Sequence, residues 1–345
     1  MAGGAPLALI LSGGVGLGAY HGGAWQAVEE AGLSPAWIAG SSIGAVTAVL
    51  VAGNPPERRL ERLRAFWDMA AQPNAASAGT AAPLSWLARD WRRALSAGGV
   101  LSSRLAGRPG LFSPRLPGLL SLVPGMPGDT GLYDARPLRA TLEALVDWDR
   151  VNGGEFRLTV TATDVETAET VLFDTTRERI GVDHILATTA FLPDFPPVEL
   201  GGRMLVDGGL SANAPLEPVA AGLEGAWRLL LVDLFDPGGF RPCTLTEAVE
   251  RRTELLFASQ TRRAVEAMRR EADLRAAAGN PQCLDLVRVA CRNRPADVMN
   301  KAYDFTAETL RERWELGRRA TAEALSLLGG AEPEAGFRVR EIPTL

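Results

Sequence analysis

Short apolar runs alternate with amphipathic stretches along most of the chain. The runs Leu7–Leu11 and Ala36–Ala39 each end in a glycine-containing turn, and a segment with helical spacing of apolar residues follows each turn. Later apolar runs of strand length occupy residues 156–163, 170–173, 203–206, 227–235 and 284–290. Apolar spacings of three and four predict helices over residues 55–70, 138–148, 183–190, 245–278 and 305–328. Because strands that alternate with helices build a parallel sheet covered on both faces, the pattern predicts an α/β fold with a largely parallel sheet.

Residues 72–130 interrupt this alternation. The segment is rich in Ala, Gly, Pro and Ser and has little strand character, which predicts an insertion over a site and not a folded domain. Within it, the apolar residues of Leu84–Leu95 share one helical face, with Arg89, Arg92 and Arg93 away from that face. Such a helix is typical of a lid or packing helix, or of a helix that lies on a membrane surface. The pattern favours the lid or packing helix.

The first two turns carry the motifs of chemical interest. Residues 12–18, SGGVGLG, form a glycine-rich loop, and residues 40–44, GSSIG, form a G-x-S-x-G sequence between a strand and a helix. In that context the motif is typical of a nucleophile elbow, in which the flanking glycines allow a serine to occupy a tight turn. Ser42 meets the spacing, whereas Ser41 has no glycine two residues before it. Ser42 is therefore the candidate nucleophile.

A serine nucleophile needs a base, and the chain contains only two histidines. His184 follows Ser42 and an acid such as Asp164 in the chain order of an α/β-hydrolase triad. Nothing around His184, however, indicates a loop at the end of a strand. His21 lies one turn into the first predicted helix and is expected to pack near the glycine loop.

Asp207 is the competing base. It ends a short predicted strand, and Gly208 and Gly209 allow close approach of the backbone. A carboxylate takes a hydroxyl proton directly when it lies within hydrogen-bond reach in a partly dehydrated site. An aspartate before two glycines is also common in turns. The residues alone therefore leave open both a Ser-Asp dyad and a Ser-His-Asp triad that uses His184.

Together, the glycine loop, the G-x-S-x-G motif and Asp207-Gly208-Gly209 resemble the patatin-like phospholipase family. The resemblance extends to the link Phe195-Pro196-Pro197-Val198 and covers roughly residues 6–217. It implies a three-layer α/β/α fold with a catalytic domain over residues 6–217, of which residues 72–130 are an inserted lid. Residues 218–345 resemble the C-terminal extensions of some bacterial members, and we expect a mostly helical α/β extension packed on the core.

The resemblance also implies roles for individual residues. Ser42 would be the nucleophile and Asp207 the general base. The implied oxyanion hole comprises backbone N–H groups from Gly13, Gly14, Val15 and Gly16, and the remaining motif glycines are Gly18, Gly40, Gly44, Gly208 and Gly209. The implied reaction is the hydrolysis of acyl esters of phospholipids or other lipids through an acyl-serine intermediate, without a metal or cofactor.

The loop departs from the family pattern at two positions. The family loop reads G-G-G-x-[KR]-G or G-x-G-x-x-G, whereas this chain has Val15 and Leu17. The absence of an arginine or lysine removes a fixed positive charge near the site. The N–H of Val15 is equivalent to that of any residue, but a positive φ at this position would strain a β-branched side chain.

Composition and spacing exclude several other classes. A net charge of −5 gives no support for nucleic-acid binding, and three cysteines without C-x-x-C spacing indicate neither a disulfide scaffold nor a zinc site. A dinucleotide site is disfavoured because position 15 is not glycine and the second strand ends in Gly40-Ser41-Ser42, not in an acid. A catalytically weak scaffold that binds lipid is the other interpretation left open.

The N-terminus lacks the basic region of a signal peptide, and no run reaches the roughly 18 apolar residues of a membrane span. The sequence therefore predicts a cytoplasmic protein that binds a lipid or phospholipid ester and makes at most peripheral contact with a membrane. It leaves the oligomeric state open.

Overall fold

The structure is a computed structural model that describes residues 4–73, 91–121, 123, 126, 128–291, 301–328 and 333–342. Its strands are β1 (Leu7–Leu11), β2 (Trp37–Ser41), β3 (Ser113–Pro114), β4 (Tyr133–Asp134), β5 (Arg157–Asp164), β6 (Thr170–Asp174), β7 (Val198–Leu200), β8 (Arg203–Asp207), β9 (Ala226–Asp233), β10 (Cys283–Ala290) and β11 (Gly336–Glu341). Its helices are α1 (Ala19–Glu30), α2 (Ile43–Ala52), α3 (Arg59–Ala71), α4 (Trp91–Ala106), α5 (Leu116–Leu120), α6 (Arg136–Leu145), α7 (Trp148–Val151), α8 (Val182–Thr188), α9 (Gly209–Ala212), α10 (Leu216–Ala221), α11 (Leu245–Ala277) and α12 (Ala307–Leu328).

One nine-stranded sheet organises the molecule, in the order β11-β10-β9-β1-β2-β5-β8-β7, with β6 also paired to β5. The six strands from β11 to β5 are parallel to their neighbours. β6 and β8 pair with β5 antiparallel, and β7 pairs with β8 antiparallel. The predicted α/β fold with a largely parallel sheet is therefore confirmed.

The sheet is the middle of three layers. Every residue of β1 is buried, and alternate side chains enter two different cores: Leu7, Leu9 and Leu11 join one, Ala8 and Ile10 the other. This explains why β1 is a continuous apolar run, since a strand covered on both faces has no polar side. The first core is shared with α1, α2, α3 and α12, and the second with α10 and α11.

The structure differs from the sequence pattern mainly at the periphery. The predicted helix over residues 55–70 begins as a 3₁₀ turn at Pro56–Arg58 and continues as α3. Of the predicted amphipathic segment Leu84–Leu95, residues 84–90 lie outside the described part. The described helix α4 extends from Trp91 to Ala106. β7 and β11, the two edge strands of the sheet, lie outside the predicted strands, and β7 has only three residues.

Residues 218–345 contribute three strands to the same sheet. β9 pairs with β1 over five residues, from Leu7 opposite Arg228 to Leu11 opposite Val232. β10 and β11 then extend the sheet beyond β9. Helix α12 packs along α1, so this part of the chain is continuous with the core that surrounds the glycine loop.

Candidate active site

Two strands that share one edge of β5 bring Ser42 and Asp207 together. Thr161 of β5 pairs with Ser41 of β2 on one side and with Leu172 of β6 on the other. The next residue, Ala162, pairs with β6 and with Asp207 of β8. β8 therefore lies on the same side of β5 as β2 and runs in the opposite direction. The carboxyl ends of the two strands meet end to end, one residue apart along β5.

Ser42 occupies a tight turn between β2 and α2. Its φ of 53° and ψ of −124° lie in a region that residues other than glycine rarely adopt. Glycine is needed on both sides because the chain folds back on itself: a Cβ on Gly40 would lie 2.5 Å from the backbone of Gly44, and one on Gly44 would overlap the Leu11 carbonyl. The Ser42 side chain is buried at the N-terminus of α2.

Thr188, at the end of α8, holds this turn in place. The Ser42 N–H donates to Thr188 Oγ1 at 3.0 Å, and the Thr188 hydroxyl donates to the Thr161 carbonyl. The same hydroxyl thus joins the serine turn to β5. Sequence reasoning did not identify Thr188, since a threonine at a helix end carries no distinguishing local signal.

The Asp207 carboxylate is the hydrogen-bond partner of Ser42. Ser42 Oγ donates to Asp207 Oδ2 at 2.6 Å, and the Gly209 N–H donates to Asp207 Oδ1 at 2.7 Å. Only 2% of Asp207 is exposed. Burial raises the pKa of Asp207 to about 7, against the opposing effects of the hydrogen bonds from Ser42 and Gly209. A carboxyl group with a pKa near neutrality exchanges protons readily at physiological pH.

The glycine loop lies beside Ser42. A Cβ on Gly13 would be 3.1 Å from Ser42 Cβ and 2.5 Å from Asn213 Oδ1. The loop continues as a 3₁₀ turn over Val15–Gly18, in which the Leu17 N–H donates to the Gly14 carbonyl at 3.0 Å. Val15 adopts a φ of 52°. A β-branched residue is disfavoured there, so the surrounding contacts must impose this conformation.

The predicted oxyanion donors differ in their availability. The Gly13 N–H donates to the Asn213 carbonyl at 3.0 Å and is therefore already engaged. The N–H groups of Gly14, Val15 and Gly16 find no acceptor within the described part of the chain. These last three N–H groups are therefore the ones available to an acceptor that enters the loop.

The other motif glycines allow close packing. A Cβ on Gly14 would lie 2.7 Å from the Leu234 side chain, and one on Gly16 would lie 2.7 Å from the Ala302 carbonyl. Side chains on Gly18 and Gly208 would overlap Ile43 and the Thr161 carbonyl, respectively. These glycines bring the loop, the serine turn and the aspartate strand into contact.

The hydrogen bond that Ser42 Oγ donates goes to Asp207 and not to either histidine. His21 is fully buried in α1, and burial lowers its pKa to about 3, so the ring is neutral. His184 accepts a hydrogen bond from the Gly181 N–H at its Nδ1 atom (3.0 Å), and its Nε2 atom lies 3.7 Å from Glu178. The His184 ring also packs edge-on against Phe173.

Three residues of the site come from distant parts of the chain and were not predicted. Asn213 accepts from Gly13 as described, and its own N–H donates to Gln260 Oε1 of α11 at 2.9 Å. Gln260 Nε2 donates to the Gly209 carbonyl at 3.2 Å. On the opposite side, Arg313 Nη1 of α12 donates to the Gly16 carbonyl at 3.1 Å. α11 therefore supports the aspartate turn, and α12 supports the glycine loop.

A cavity of about 550 Å³ adjoins the site. Its wall includes Thr189 and Ala190, which directly follow Thr188, and the Ala190 carbonyl accepts the Asp207 N–H at 3.0 Å. The remainder is lined by apolar groups of the 195–198 link and of the insertion, by Leu186, by Asp134 and Ala135, and by arginines 115, 136 and 139. Ser42 and Asp207 themselves do not line it.

The described residues include no group of three His, Cys, Asp or Glu side chains arranged to hold a metal ion. Within the same ranges, none of the helices combines the length and the apolar character needed to span a bilayer.

Comparison with known families gives two matches. The model of the patatin-like phospholipases matches residues 9–220. A second model, described as patatin phospholipase, matches residues 256–328. No curated protein matches the sequence.

Solved structures give more distant similarities. VipD from Legionella pneumophila is 14% identical, with a TM-score of 0.43, over 94% of this chain and 67% of the VipD chain. The type III effector protein ExoU is 17% identical, with a TM-score of 0.41, over 95% of this chain and 54% of the ExoU chain. ExoU of Pseudomonas aeruginosa in complex with SpcU is 17% identical, with a TM-score of 0.37. The chain thus spans about half the length of ExoU.

Proposed function

Because the chain belongs to the patatin-like phospholipase family, we propose that it is a lipid acyl hydrolase that uses Ser42 and Asp207 as a catalytic dyad. The observation that carries the proposal is the 2.6 Å hydrogen bond from Ser42 Oγ to Asp207 Oδ2 in a buried site. The carboxylate is already positioned to take the hydroxyl proton, and the raised pKa of Asp207, about 7, matches it to that task at neutral pH.

Acylation would follow from this geometry. Ser42 Oγ adds to the carbonyl carbon of the ester as its proton passes to Asp207 Oδ2. The carbonyl oxygen becomes an oxyanion, which accepts hydrogen bonds from the N–H groups of Gly14, Val15 and Gly16. Loss of one such donor in an enzyme costs about 3–4 kcal/mol of transition-state stabilisation. The intermediate then expels the alcohol, which receives the proton from Asp207, and leaves an acyl group on Ser42.

Deacylation would use the same groups, with water in the place that the serine hydroxyl has in acylation. Asp207 takes a proton from a water molecule as the water oxygen adds to the acyl carbon. The oxyanion forms again in the glycine loop, and its collapse releases the fatty acid and returns the proton to Ser42. The Gly209 N–H keeps Asp207 Oδ1 occupied throughout, so that Oδ2 is the oxygen that faces the serine.

The surroundings of His184 argue against a Ser-His-Asp triad. Its Nδ1 atom is occupied as an acceptor, its Nε2 atom lies near Glu178, and Ser42 already donates to Asp207. A catalytically weak lipid-binding scaffold is opposed by the buried, hydrogen-bonded serine, because a scaffold has no need of a strained serine beside a carboxylate.

A lipid ester is the substrate class that fits the neighbouring cavity. Its apolar lining at Leu116, Leu186 and Phe195 suits an acyl chain. The three arginines that line the cavity are all paired with acidic side chains: Arg115 with Asp129, Arg136 with Asp134, and Arg139 with Asp183 and Glu143. The positive charges of these arginines are therefore balanced by neighbouring carboxylates.

Two assays test the proposal. A fluorophosphonate probe labels only an activated serine, and we expect it to label the full chain at Ser42. A panel of phospholipids, lysophospholipids and short p-nitrophenyl esters should show release of carboxylic acid. A folded chain that neither labels nor hydrolyses any ester of the panel would refute the hydrolase and favour the scaffold.

The insertion would help the enzyme act on aggregated lipid. In α4, Ser96, Val100 and Ser103 face the protein, whereas Leu101 and Leu105 are 56% and 67% exposed on the opposite face. Residues four apart share one side of a helix, so these leucines form an apolar ridge available to a lipid surface. We expect Leu101→Ser with Leu105→Ser to lower hydrolysis of vesicle lipid by at least about tenfold, since full burial of even one leucine is worth about 1.5–3 kcal/mol and about 1.4 kcal/mol is a factor of ten.

The control for the ridge is a leucine that is equally exposed elsewhere. Leu274 of α11 is 72% exposed, and Leu274→Ser should leave the hydrolysis of vesicle lipid and of a soluble short ester unchanged. The double variant should retain its rate on a soluble short ester. Equal losses on vesicles and on the soluble ester would show that the ridge serves only to position α4.

A further inference from the structure

The glycine loop lacks the arginine or lysine of the family pattern, yet a buried cation from another part of the chain lies against it. Arg313 of α12 is 2% exposed, and its Nη1 atom donates to the Gly16 carbonyl at 3.1 Å. Its guanidinium also donates to the carbonyls of Asp304 (2.9 Å) and Lys301 (2.8 Å). One side chain thus holds the loop to the segment 301–304, whose Ala302 carbonyl packs directly against Gly16.

Two peptide units, joined by a hydrogen bond, connect this cation to the proposed oxyanion site. The carbonyl of Gly16 and the N–H of Leu17 belong to one peptide unit, and that N–H donates to the Gly14 carbonyl at 3.0 Å. The carbonyl of Gly14 and the N–H of Val15 belong to a second unit, which this hydrogen bond joins to the first. The positive charge of Arg313, which is hydrogen-bonded to the Gly16 carbonyl, therefore polarises the Leu17 N–H of the same peptide unit. The Leu17 N–H in turn polarises the Gly14 carbonyl and, with it, the Val15 N–H. Hydrogen bonds in such chains strengthen one another, and more so where water is excluded.

The same contacts account for the backbone of Val15. A valine with a φ of 52° requires neighbours that impose this conformation. The peptide unit that precedes it, Gly14–Val15, is fixed by the bond from Leu17 to Gly14, and the Gly16–Leu17 unit, two units further along, is fixed by the bond from Arg313 to Gly16. The N–H of Val15 is left without an acceptor in the described ranges, as a donor kept for a developing oxyanion must be.

We propose that Arg313 is a positioning residue for the oxyanion hole: it fixes the Gly16–Leu17 peptide unit and, through the hydrogen bond from that unit to the Gly14 carbonyl, orients and polarises the Val15 N–H. The inference rests on the proposed function, because it assigns a role within that site. It gives α12 a part in catalysis although α12 supplies no group that touches the substrate. It also explains how the loop functions without a cation of its own.

Arg313→Met keeps the length of the side chain and removes its charge and donors. Loss of one oxyanion donor lowers kcat by about 10²–10³, and we expect a smaller loss here, about 10- to 100-fold, because the Val15 N–H itself is retained. KM should change little, since the oxyanion exists only in the transition state. Arg313→Lys keeps the charge but cannot span three carbonyls, and we expect its kcat to lie between those of wild type and Arg313→Met. If Arg313→Met does not fold, a lowered kcat in folded Arg313→Lys supports the proposal and a wild-type kcat contradicts it.

A trifluoromethyl ketone distinguishes this role from a purely structural one. Ser42 Oγ adds to the ketone carbon, its proton passes to Asp207, and the ketone oxygen becomes an oxyanion in the loop. Affinity for this compound should fall in parallel with kcat/KM across wild type, Arg313→Lys and Arg313→Met. Affinity for a non-reactive amide analogue of the substrate should stay constant, because an amide that is not attacked forms no oxyanion.

Arg59 provides a matched control. It is also buried, at 5% exposure, and it also donates to backbone carbonyls, those of Val51 and Asn54, away from the glycine loop. Arg59→Met should lower Tm and leave kcat and ketone affinity of the folded protein unchanged. Wild-type kcat and ketone affinity in folded Arg313→Met, or equal losses in Arg59→Met, would overturn the inference alone. A wild-type chain without esterase activity would overturn the proposed function and this inference together.

Discussion

Ser42→Ala should abolish both ester hydrolysis and fluorophosphonate labelling, with rates reduced to the background of the assay. The nucleophilic oxygen is removed, whereas the methyl group fits the space of the serine Cβ and the hydrogen bond from the Ser42 N–H to Thr188 is retained. Circular dichroism and Tm should therefore match the wild type. Loss of a serine nucleophile in a hydrolase typically lowers kcat by about 10⁶.

Ser41 is the matched control for this experiment. It is the adjacent residue, it is fully buried, and its hydroxyl finds no partner in the described part of the chain. Ser41→Ala should therefore retain labelling and turnover. Labelling that survives in Ser42→Ala would show that another residue is the nucleophile and would remove the basis of the proposed dyad.

Asp207→Asn should lower kcat by roughly 10²–10⁴, the usual scale for loss of a general base. The amide keeps the shape of the carboxylate but cannot take the Ser42 proton. His184→Gln, in contrast, should cost little, because His184 is engaged with Gly181 and Glu178. A folded His184→Gln variant as inactive as Asp207→Asn would replace the dyad with a Ser-His-Asp triad.

The pH profile gives a second measurement of the same residue. The pKa of Asp207 is raised to about 7 by burial, and only the deprotonated carboxylate acts as a base. In wild type, kcat/KM should rise with pH up to a plateau, with its midpoint near pH 7, and the residual rate of Asp207→Asn should lack this midpoint. A wild-type midpoint near pH 4 would mean that Asp207 is not desolvated in solution.

Stability should show the opposite dependence on pH. A carboxyl group whose pKa is raised from 3.8 to about 7 on folding favours the folded state fully below pH 3.8 and loses this contribution as the pH rises through 7. The shift corresponds to roughly 4 kcal/mol between these limits. Asp207→Asn carries no such charge, so its Tm relative to wild type should increase from pH 5 to pH 8.

The central part of the fold was predictable because local and global requirements coincide there. A strand segment covered on both faces must be apolar, and β1, the first three residues of β2 and the Leu229–Val232 part of β9 show this pattern in the sequence. The serine turn was recognisable for the same kind of reason, since only glycine fits where Gly40 and Gly44 meet the backbone. Such constraints act on consecutive residues, and they can be read without knowledge of the rest of the chain.

Supporting residues were not predictable, because their roles arise only when distant segments meet. Thr188, Gln260 and Arg313 lie in helices whose local sequences carry no sign of the contacts that they make with the site. Gly13 was assigned as an oxyanion donor from the motif alone, and the Asn213 carbonyl that engages its N–H lies 200 residues away. Strand β11 is different: Phe337 and Val339 alternate with Arg338 and Arg340, a period of two that could have identified it.

The end-to-end meeting of β2 and β8 has a consequence for the synthesis of the protein. Ser42 and Asp207 are separated by 165 residues, and Gly16 and Arg313 by 297. A nascent chain therefore presents its serine long before the ribosome has added the aspartate, and it presents both before α12 exists to hold the loop. β1 meanwhile has one open edge until β9 is made. The proposed hydrolase would therefore stay inactive during its own translation until α12, with Arg313, has emerged from the ribosome.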